Sequence, residues 1–555
     1  MVFNRLNKTE KYAIVLLLVA FGIVYPFLDI PWHRWTRDDC YQALSCRDYV
    51  RQPIAMLSFY IGHLWTSLFS DSLLSLRRLM AVSYILSIGA GCLWFYRHTR
   101  AALAAAAWFA ALMVMVPACS LFLFGWDVAA YPFTVLALLA ALRFLHAPDV
   151  RSSIFLGASL ALLTLARVPA GVSAICALIL IKWLAPKNPH PSSLVPRPSS
   201  LAPHPRSLVP RPSSLAPLAF LLTASILILL MGGFSQYFHA WAPDNIINNH
   251  YSIRPYLARI LTLSPYILTA YGCGAAALLF SMLFFRIRKG RGSSLAKAAV
   301  LFGGFAVPLC LALMVPWTVS AVFGIPQFIL LALLFYLPFY NLTHDSRRPV
   351  SWTFLLTVIA FALVPAVGSD GMVERPLCLP LIPVAAVAVW RYRPRALWLT
   401  VGILALCAVA VRGQEYLERL KEEGEISMRS IPSPHFAGVH TLDSTWLEVS
   451  DMVVEARADG SSVAFAGTPD RFIPMYAFSD TCPASLQLFD FDADSPSQLD
   501  LVLSDIGNAD KVFIFRDNAK PEDIYAPLIN ALSSRSYTLS ATRSFPNFTL
   551  TVFSR

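Results

Sequence analysis

Residues 12–30 read YAIVLLLVAFGIVYPFLDI, and the only charge in this stretch is Asp29. The stretch is long enough to cross the roughly 30 Å hydrocarbon core of a bilayer as a helix. Arg5, Lys8 and Lys11 precede it, and basic residues are retained on the cytoplasmic side of membranes. Because no small-residue cleavage site follows, we predict a retained span and a cytoplasmic N-terminus.

Similar apolar stretches recur through residues 1–411, separated by short basic or Pro/Gly-rich connectors. Hydrophobic residues make up 57% of the chain and charged residues 14%, against roughly 45–50% and 25% in soluble proteins. This composition excludes a soluble multidomain protein, a disordered or collagen-like chain and a disulfide-stapled secreted domain. The predicted fold is a polytopic α-helical membrane protein with about 13 transmembrane helices, followed by a small α/β domain.

The net charge of +11 is unevenly distributed along the chain. Residues 412–555 contain 12 Lys/Arg and 21 Asp/Glu, so they carry −9 and residues 1–411 carry +20. The basic residues fall mainly in the predicted inner loops, where they set the orientation of the spans. The charge therefore indicates membrane topology, and no nucleic-acid partner is expected.

Residues 412–555 have the composition of a soluble domain in which β-like and helical stretches alternate. Strands are expected at 462–467, 511–515, 537–545 and 548–554, and helices at 414–425, 444–458 and 524–533. Residues 467–471 (GTPDR) follow the first strand and read as an ordinary strand-to-helix turn or, alternatively, a ligand turn. An odd number of spans places this domain opposite the N-terminus. We expect the membrane to be a bacterial inner membrane, so the domain is predicted to be periplasmic.

Residues 188–217 form a predicted cytoplasmic insert that contains a tandem repeat. Residues 190–203 read HPSSLVPRPSSLAP and residues 204–217 read HPRSLVPRPSSLAP. The Pro and Ser content predicts an extended segment without helix.

The predicted first external loop, residues 31–70, contains the side chains that are best suited to catalysis and substrate binding. Residues 32–41 read WHRWTRDDCY and residues 47–53 read RDYVRQP, followed by an apolar–aromatic stretch that indicates an interfacial helix. Two adjacent carboxylates at the lipid boundary suit a general base that faces an anionic lipid-linked substrate. Arginine suits phosphate recognition through its planar guanidinium group. Cys40 and Cys46 could form a disulfide unless the segment between them is helical.

This arrangement resembles the GT-C glycosyltransferases, in particular the dolichyl-phosphate-mannose protein mannosyltransferases and the bacterial aminoarabinose lipid A transferases. The likeness rests on one span, an external acidic pair at Asp38 and Asp39, Pro53 a dozen residues on, an interfacial helix and an Arg before the second span. It covers roughly the first third of the chain. The sequence departs from the family at Asp39, where Glu is usual, and at Gln52, where the family has a second Pro.

The resemblance implies that Asp38 is the catalytic base, that Asp39 accompanies it and that Asp127, at the outer start of the fourth span, is a further catalytic acid. Candidate substrate-binding residues lie in this loop and in later external loops: Arg37, Tyr41, Arg47, Arg51, Arg254, Asp370 and Arg375. Simpler interpretations remain. The acidic pair could solvate the loop or pair with Arg37 or Arg47, Asp127 could cap its helix, and residues 368–371 (GSDG) have ordinary turn chemistry.

These features predict an inverting integral-membrane glycosyltransferase that moves a sugar from a polyprenyl-phosphate donor to a hydroxyl of a lipid, glycan or protein acceptor. No cofactor or metal is required, although a divalent cation could bind. The alternative is a transporter or flippase, whose expected signature is mid-membrane ionisable residues and inverted repeats. A ligase or polymerase acting on lipid-linked glycans is a third possibility.

Overall fold

The structure is a computed structural model that describes residues 7–30, 37–51, 53–119, 125–184, 212–241, 352–363, 375–390, 433–436, 444–479 and 496–555, with residues 330, 398, 401 and 439. Predicted elements at 265–341 (except residue 330), most of 396–411 and the helix at 414–425 lie outside these residues. The α-helices that precede the C-terminal unit are α1 Lys8–Asp29, α2 Arg37–Arg47, α3 Met56–Leu68, α4 Leu73–Thr99, α5 Ala102–Cys119, α6 Trp126–His146, α7 Val150–Ala166, α8 Val168–Leu184, α9 Pro212–Leu230, α10 Phe234–Ala240, α11 Trp352–Leu363 and α12 Arg375–Trp390.

Three helices of the described residues are long and apolar enough to cross a membrane: Lys8–Leu28, Leu73–Thr99 and Val128–His146. Shorter apolar helices cover Ala102–Val116, Val150–Ala166, Val168–Trp183, Leu215–Leu230 and Leu377–Ala388. Large apolar side chains of α1, such as Leu16, Leu17 and Leu28, are exposed, as expected of a surface that faces lipid. The chain is thus a polytopic helical membrane protein, while the number of 13 spans stays a prediction.

Residues 152–184 are too long for one span and carry RVPAG at 167–171, which predicts a turn between two short spans. The break between α7 and α8 falls at Arg167, within this turn. Arg167 leaves the helical conformation with φ −159° and ψ 101°, and its side chain is buried. Pro169 lies in the first turn of α8, where a proline lacks no helical hydrogen bond. Two short helices therefore replace one long one.

The prediction of a non-helical repeat is wrong at its end. Helix α9 begins at Pro212, inside the second copy, and continues through Pro217. Proline is tolerated as the first residue of a helix because its missing N–H would have no helical partner there. The strongly apolar residues that follow then extend the helix.

Close helix packing depends on two glycines at which a Cβ would collide with a neighbouring backbone. A Cβ at Gly91 of α4 would lie 2.3 Å from the main-chain oxygen of Pro380 in α12. A Cβ at Gly157 of α7 would lie 2.1 Å from the main-chain oxygen of Ala216 in α9. These helices approach each other closely because the glycines present no side chain.

The predicted interfacial helix is observed as α3, after two short 3₁₀ turns at Tyr49–Arg51 and Pro53–Ala55. The indole N–H of Trp65 donates to the main-chain oxygen of Ser75 (2.9 Å), which attaches α3 to α4. The buried hydroxyl of Ser58 donates to the main-chain oxygen of Ala166 (2.7 Å), at the end of α7. Helix α3 is therefore fixed to the membrane helices at both of these positions.

The C-terminal unit is an α/β structure, as predicted. Its elements are α13 Ser444–Arg457, β1 Val463–Gly467, α14 Pro469–Phe478, α15 Pro496–Ile506, β2 Lys511–Asp517, a 3₁₀ turn Glu522–Tyr525, α16 Ala526–Ser534, β3 Thr538–Ser544 and β4 Phe548–Ser554. The sheet order is β1-β2-β4-β3. Strands β1 and β2 are parallel, and β4 is antiparallel to both β2 and β3. Residues 467–471 form the predicted strand-to-helix turn, in which Gly467 has φ +105°.

Helix α2 lies between two apolar cores. Ala43 and Cys46 belong to the core of the membrane helices. Cys40, Tyr41 and Leu44, on another side of the helix, belong to a cluster formed mainly by the C-terminal unit. The acid-bearing helix is therefore packed by both parts of the protein.

Candidate active site on the first external segment

Asp39 is buried and paired with a cation from the membrane helices. Its side chain is 3% exposed, and its Oδ2 lies 3.3 Å from Nη2 of Arg77 in α4. Nη1 of Arg77 donates to the main-chain oxygen of Ile30, directly after α1 (3.3 Å). A buried charge needs such a partner because the loss of hydration is costly. Arg77 thus connects α2 to the end of α1 and the start of α4.

Asp38 lies in the first turn of α2, where an acidic residue is favoured by the positive end of the helix dipole. Only the backbone of Arg37 and Asp38 is described. In a helix, position 38 shares one face with positions 42 and 45, four and seven residues later. The neighbouring Asp39 is rotated away from that face, so the two acids present different sides of α2.

The start of α6 lies beside α2. The N-cap of α6 is Gly125, and a Cβ at this glycine would lie 3.2 Å from Cδ of Gln42. Asp127 is the second residue of α6, so the alternative interpretation of Asp127 as the N-cap is wrong. The structure therefore brings the backbone of Asp127 near the helix that carries Asp38 and Asp39. The side chain of Asp127 is not described, and its role as a further catalytic acid stays a prediction.

Four ends of membrane helices meet around α2 and α3. The ends of α1 and α7 contact Arg77 and Ser58, whereas α4 and α6 begin there. Helices α1 and α7 therefore end where α4 and α6 begin, as expected of spans that cross a membrane in alternate directions. This arrangement places α2, which carries the acidic pair, at one end of these four membrane helices.

Arg47 contacts the C-terminal unit instead of standing alone at the external surface. Nη1 donates to the main-chain oxygen of Ser479 (3.1 Å) and Nη2 to that of Ala477 (3.1 Å), at the end of α14. A cation at this position is favourable because helix C-termini carry negative partial charge. Nε donates to Oδ2 of Asp71 (2.9 Å), so one side chain joins α2, the loop before α4 and α14.

Two further groups complete this connection. Nδ1 of His435 donates to the main-chain oxygen of Asp71 (2.7 Å) and lies 3.5 Å from its Oδ2. Tyr41, the other described candidate for substrate binding, is 4% exposed within the cluster shared with the C-terminal unit. Arg47 and Tyr41 therefore both pack against the C-terminal unit. Their role in substrate binding stays a prediction.

The predicted disulfide between the two cysteines of this segment does not form, because α2 is helical between them. Cys40 and Cys46 are both buried, and neither belongs to a disulfide. Burial raises the pKa of the Cys46 thiol, with a further contribution from Asp71. The pKa of Tyr49 is also raised, first by burial and then by Tyr60. Cys46 is therefore not poised for thiolate chemistry.

The remaining predicted site residues stay predictions. Arg254 and Asp370 lie outside the described residues, and for Arg51 and Arg375 only the backbone is described. Within the described ranges, no group of three or more His, Cys, Asp or Glu side chains is arranged to hold a metal ion.

Sequence reasoning did not assign a role to Arg77 or Gln42. The position of Arg77 at the start of the second span was visible as part of the family pattern, but nothing local connected it to Asp39. Gln42 was inconspicuous because a single Gln on a short helix has no distinctive spacing. Its contact with Gly125 depends on the tertiary fold.

Comparisons with known proteins give weak matches. No protein-family model and no curated protein matches the chain. Among solved structures, the chain is similar to the crystal structure of ArnT from Cupriavidus metallidurans bound to undecaprenyl phosphate, with 12% identity, 97% of each chain covered and a TM-score of 0.39. The apo structure of the same protein gives 12% identity, the same coverage and a TM-score of 0.37. ArnT is an aminoarabinose lipid A transferase, one of the kinds of enzyme that the sequence resembles. At this identity and TM-score, the matches assign neither a family nor an activity to the chain.

Proposed function

We propose that this protein is an integral-membrane glycosyltransferase that moves a sugar from a polyprenyl-phosphate donor to an acceptor hydroxyl on the extracytoplasmic side. The observation that carries the proposal is the buried ion pair between Asp39 and Arg77. It holds the helix that bears Asp38 where four membrane helix ends meet. The family resemblance of the same segment supports the same conclusion.

In the proposed reaction, the carboxylate of Asp38 takes the proton of the acceptor hydroxyl. The acceptor oxygen attacks the anomeric carbon from the face opposite the phosphate, and the carbon–oxygen bond to the phosphate breaks with inversion. The polyprenyl phosphate leaves with the bonding electrons. General-base catalysis of this kind contributes typically about 10²–10⁴-fold to the rate.

The other residues divide into charge stabilisation and positioning. Asp127 is proposed as a second acid near the reacting groups, and the phosphate is proposed to be bound by arginines, of which Arg37, Arg51, Arg254 and Arg375 are the candidates. Preorganised cations of this kind are commonly a large part of catalysis. Asp39, Tyr41 and Arg47 position α2 through the contacts described above.

The proposal is tested in membranes that contain wild type, Asp38→Asn or Asp48→Asn. Radiolabelled polyprenyl-phosphate hexoses are added, and the label that leaves the lipid donor is measured. Transfer by wild type and Asp48→Asn but not by Asp38→Asn supports Asp38 as the base. Asp48 is a suitable control because it is a half-buried carboxylate one residue after the same helix.

Equal transfer by all three proteins would remove Asp38 from the mechanism. No transfer from any donor by wild type would contradict the proposed function and favour the transport alternative.

A further inference from the structure

Two buried polar groups on α2 have no hydrogen-bond partner within the described part of the chain. Gln42 is 8% exposed and Ser45 is fully buried. Oε1 of Gln42 and Oγ of Ser45 make no hydrogen bond among the described residues. Both lie on the face of α2 that contains position 38, one and two turns after it.

Other buried helical serines of this protein satisfy their hydroxyls. Ser83, Ser87 and Ser153 each donate to the main-chain oxygen four residues earlier, at 3.1, 2.9 and 2.7 Å. Ser45 also follows a helical residue by four positions, but its hydroxyl does not donate to the main-chain oxygen of that residue. Its hydroxyl is therefore oriented differently from those of the structural serines.

An unsatisfied buried polar atom destabilises a protein because its desolvation is not compensated, and native proteins contain few such atoms. An apolar side chain of similar size would fill either position without this cost. Two such atoms on one face of one helix therefore indicate a ligand that supplies hydrogen bonds.

The surroundings and the chemistry of Gln42 and Ser45 indicate which kind of ligand they bind. The amide of Gln42 lies against Gly125, two residues before Asp127, and position 38 lies one turn earlier on the same face of α2. A neutral amide and a hydroxyl match neutral hydroxyl groups, whereas a phosphate is bound best by cations and an isoprenoid chain by apolar side chains. The sugar ring is the part of the proposed donor with this chemistry.

We propose that Gln42 and Ser45 bind hydroxyl groups of the transferred sugar and thereby determine which sugar is used. This inference rests on the proposed function. Oε1 of Gln42 accepts a hydrogen bond from one ring hydroxyl, and Ser45 contacts a second hydroxyl. A donor that lacks the hydroxyl bound by Gln42 leaves the amide unsatisfied and is disfavoured.

The test compares the parent polyprenyl-phosphate hexose with monodeoxy donors, each lacking one ring hydroxyl. The proteins are wild type, Gln42→Met, Ser45→Ala and the control Gln236→Met, which replaces an exposed glutamine of α10. Wild type and Gln236→Met are expected to discriminate against one monodeoxy donor by about tenfold or more in kcat/KM. Gln42→Met is expected to lose that discrimination, mainly by using the parent donor less efficiently.

Thermal unfolding of the detergent-solubilised variants gives a readout that does not depend on activity. Because the replaced atoms have no described partner, neither Gln42→Met nor Ser45→Ala is expected to lower the unfolding temperature. If Gln42→Met does not fold, Gly125→Ala serves instead, since the new Cβ displaces the amide of Gln42 and should weaken the same discrimination.

Unchanged discrimination in Gln42→Met or Gly125→Ala overturns the inference while leaving the proposed function intact. A lowered unfolding temperature with unchanged discrimination also overturns it, because the amide then has a structural partner. Absence of transfer by wild type would contradict the proposed function itself. This outcome can be distinguished from unchanged discrimination in Gln42→Met, which contradicts only the role of Gln42.

Discussion

Nη2 of Arg77 lies 3.3 Å from Oδ2 of Asp39, and the two side chains are 1% and 3% exposed. The pair joins a residue of α2 to a residue of the long membrane helix α4. A buried ion pair contributes little net stability compared with apolar side chains, but the loss of one partner is severe. Its role is therefore to fix α2 in place.

Replacement of Arg77 by Met is expected to destabilise the protein by about 3–5 kcal/mol, because the carboxylate of Asp39 loses its cation in a buried environment. The control is Arg78→Met, since this neighbouring arginine is exposed. Thermal unfolding in detergent measures the difference. Equal unfolding temperatures for the two variants would contradict the structural importance of the pair.

Replacement of Arg47 by Lys is expected to loosen the end of α14. Lysine cannot reproduce the planar group that reaches Asp71, Ala477 and Ser479 together. Hydrogen–deuterium exchange of the peptide 469–479 in the full chain should become faster, whereas Arg78→Lys should leave it unchanged. Exchange that is identical in wild type and Arg47→Lys would show that the connection does not depend on this side chain.

Helix packing is tested by two alanine substitutions in α4. Gly91→Ala is expected to destabilise by about 1–3 kcal/mol, because the new Cβ would collide with the backbone of Pro380. Gly89→Ala is the matched control, since its nearest neighbour is Cε2 of Phe109 at 3.8 Å. The unfolding temperature should fall only for Gly91→Ala, and an equal fall for both would contradict the close approach of α4 and α12.

The C-terminal unit contains a pH-dependent connection between β2 and the end of α13. Nζ of Lys511 donates to Asp459 (2.8 Å) and to the main-chain oxygen of Ala456 (2.9 Å). The hydrogen bond from Lys511, and then those from Ser461, hold the pKa of Asp459 well below its ordinary value. The charged form of Asp459 is therefore favoured by folding.

Asp459→Asn is expected to be less stable than wild type at pH 7. A lowered pKa in the folded state stabilises the protein above the unfolded pKa of about 3.9 and ceases to do so as the pH falls further. The difference in unfolding temperature between wild type and Asp459→Asn should therefore become smaller below that pH. Asp523→Asn, at an exposed position, provides the control. A difference that is constant from pH 7 to pH 3 would exclude this linkage.

Local patterns predicted those elements whose side chains alternate or repeat regularly. Strand β2 could be recognised because Val512, Phe513, Ile514 and Phe515 form a short buried apolar run between polar residues. The break at Arg167 could be recognised because a charge, Pro169 and Gly171 stand together in the middle of a stretch that is too long for one span. The start of α9 was missed because proline content was weighed without regard to position, although Pro212 is the first residue of the helix.

The partners of the site residues could not be predicted from such patterns. Arg47 meets Ala477 and Ser479 more than 400 residues later in the chain, so no local spacing reveals the contact. Its side chain was predicted to bind substrate because arginine suits phosphate, a preference that also suits carboxylates and helix C-termini. Asp39 and Arg77 are closer in sequence, but their pairing depends on how α2 packs against α4.

The packing of Tyr41 has a consequence for biosynthesis. Tyr41 and Phe548 belong to one apolar cluster, yet they stand near opposite ends of the polypeptide. At roughly 5–20 residues per second, a ribosome needs on the order of half a minute or longer to make the intervening chain. The acid-bearing helix α2 is therefore synthesised early, but it acquires its native surroundings only after the final strand has been made. A truncation that removes β4 would also remove part of the packing of α2.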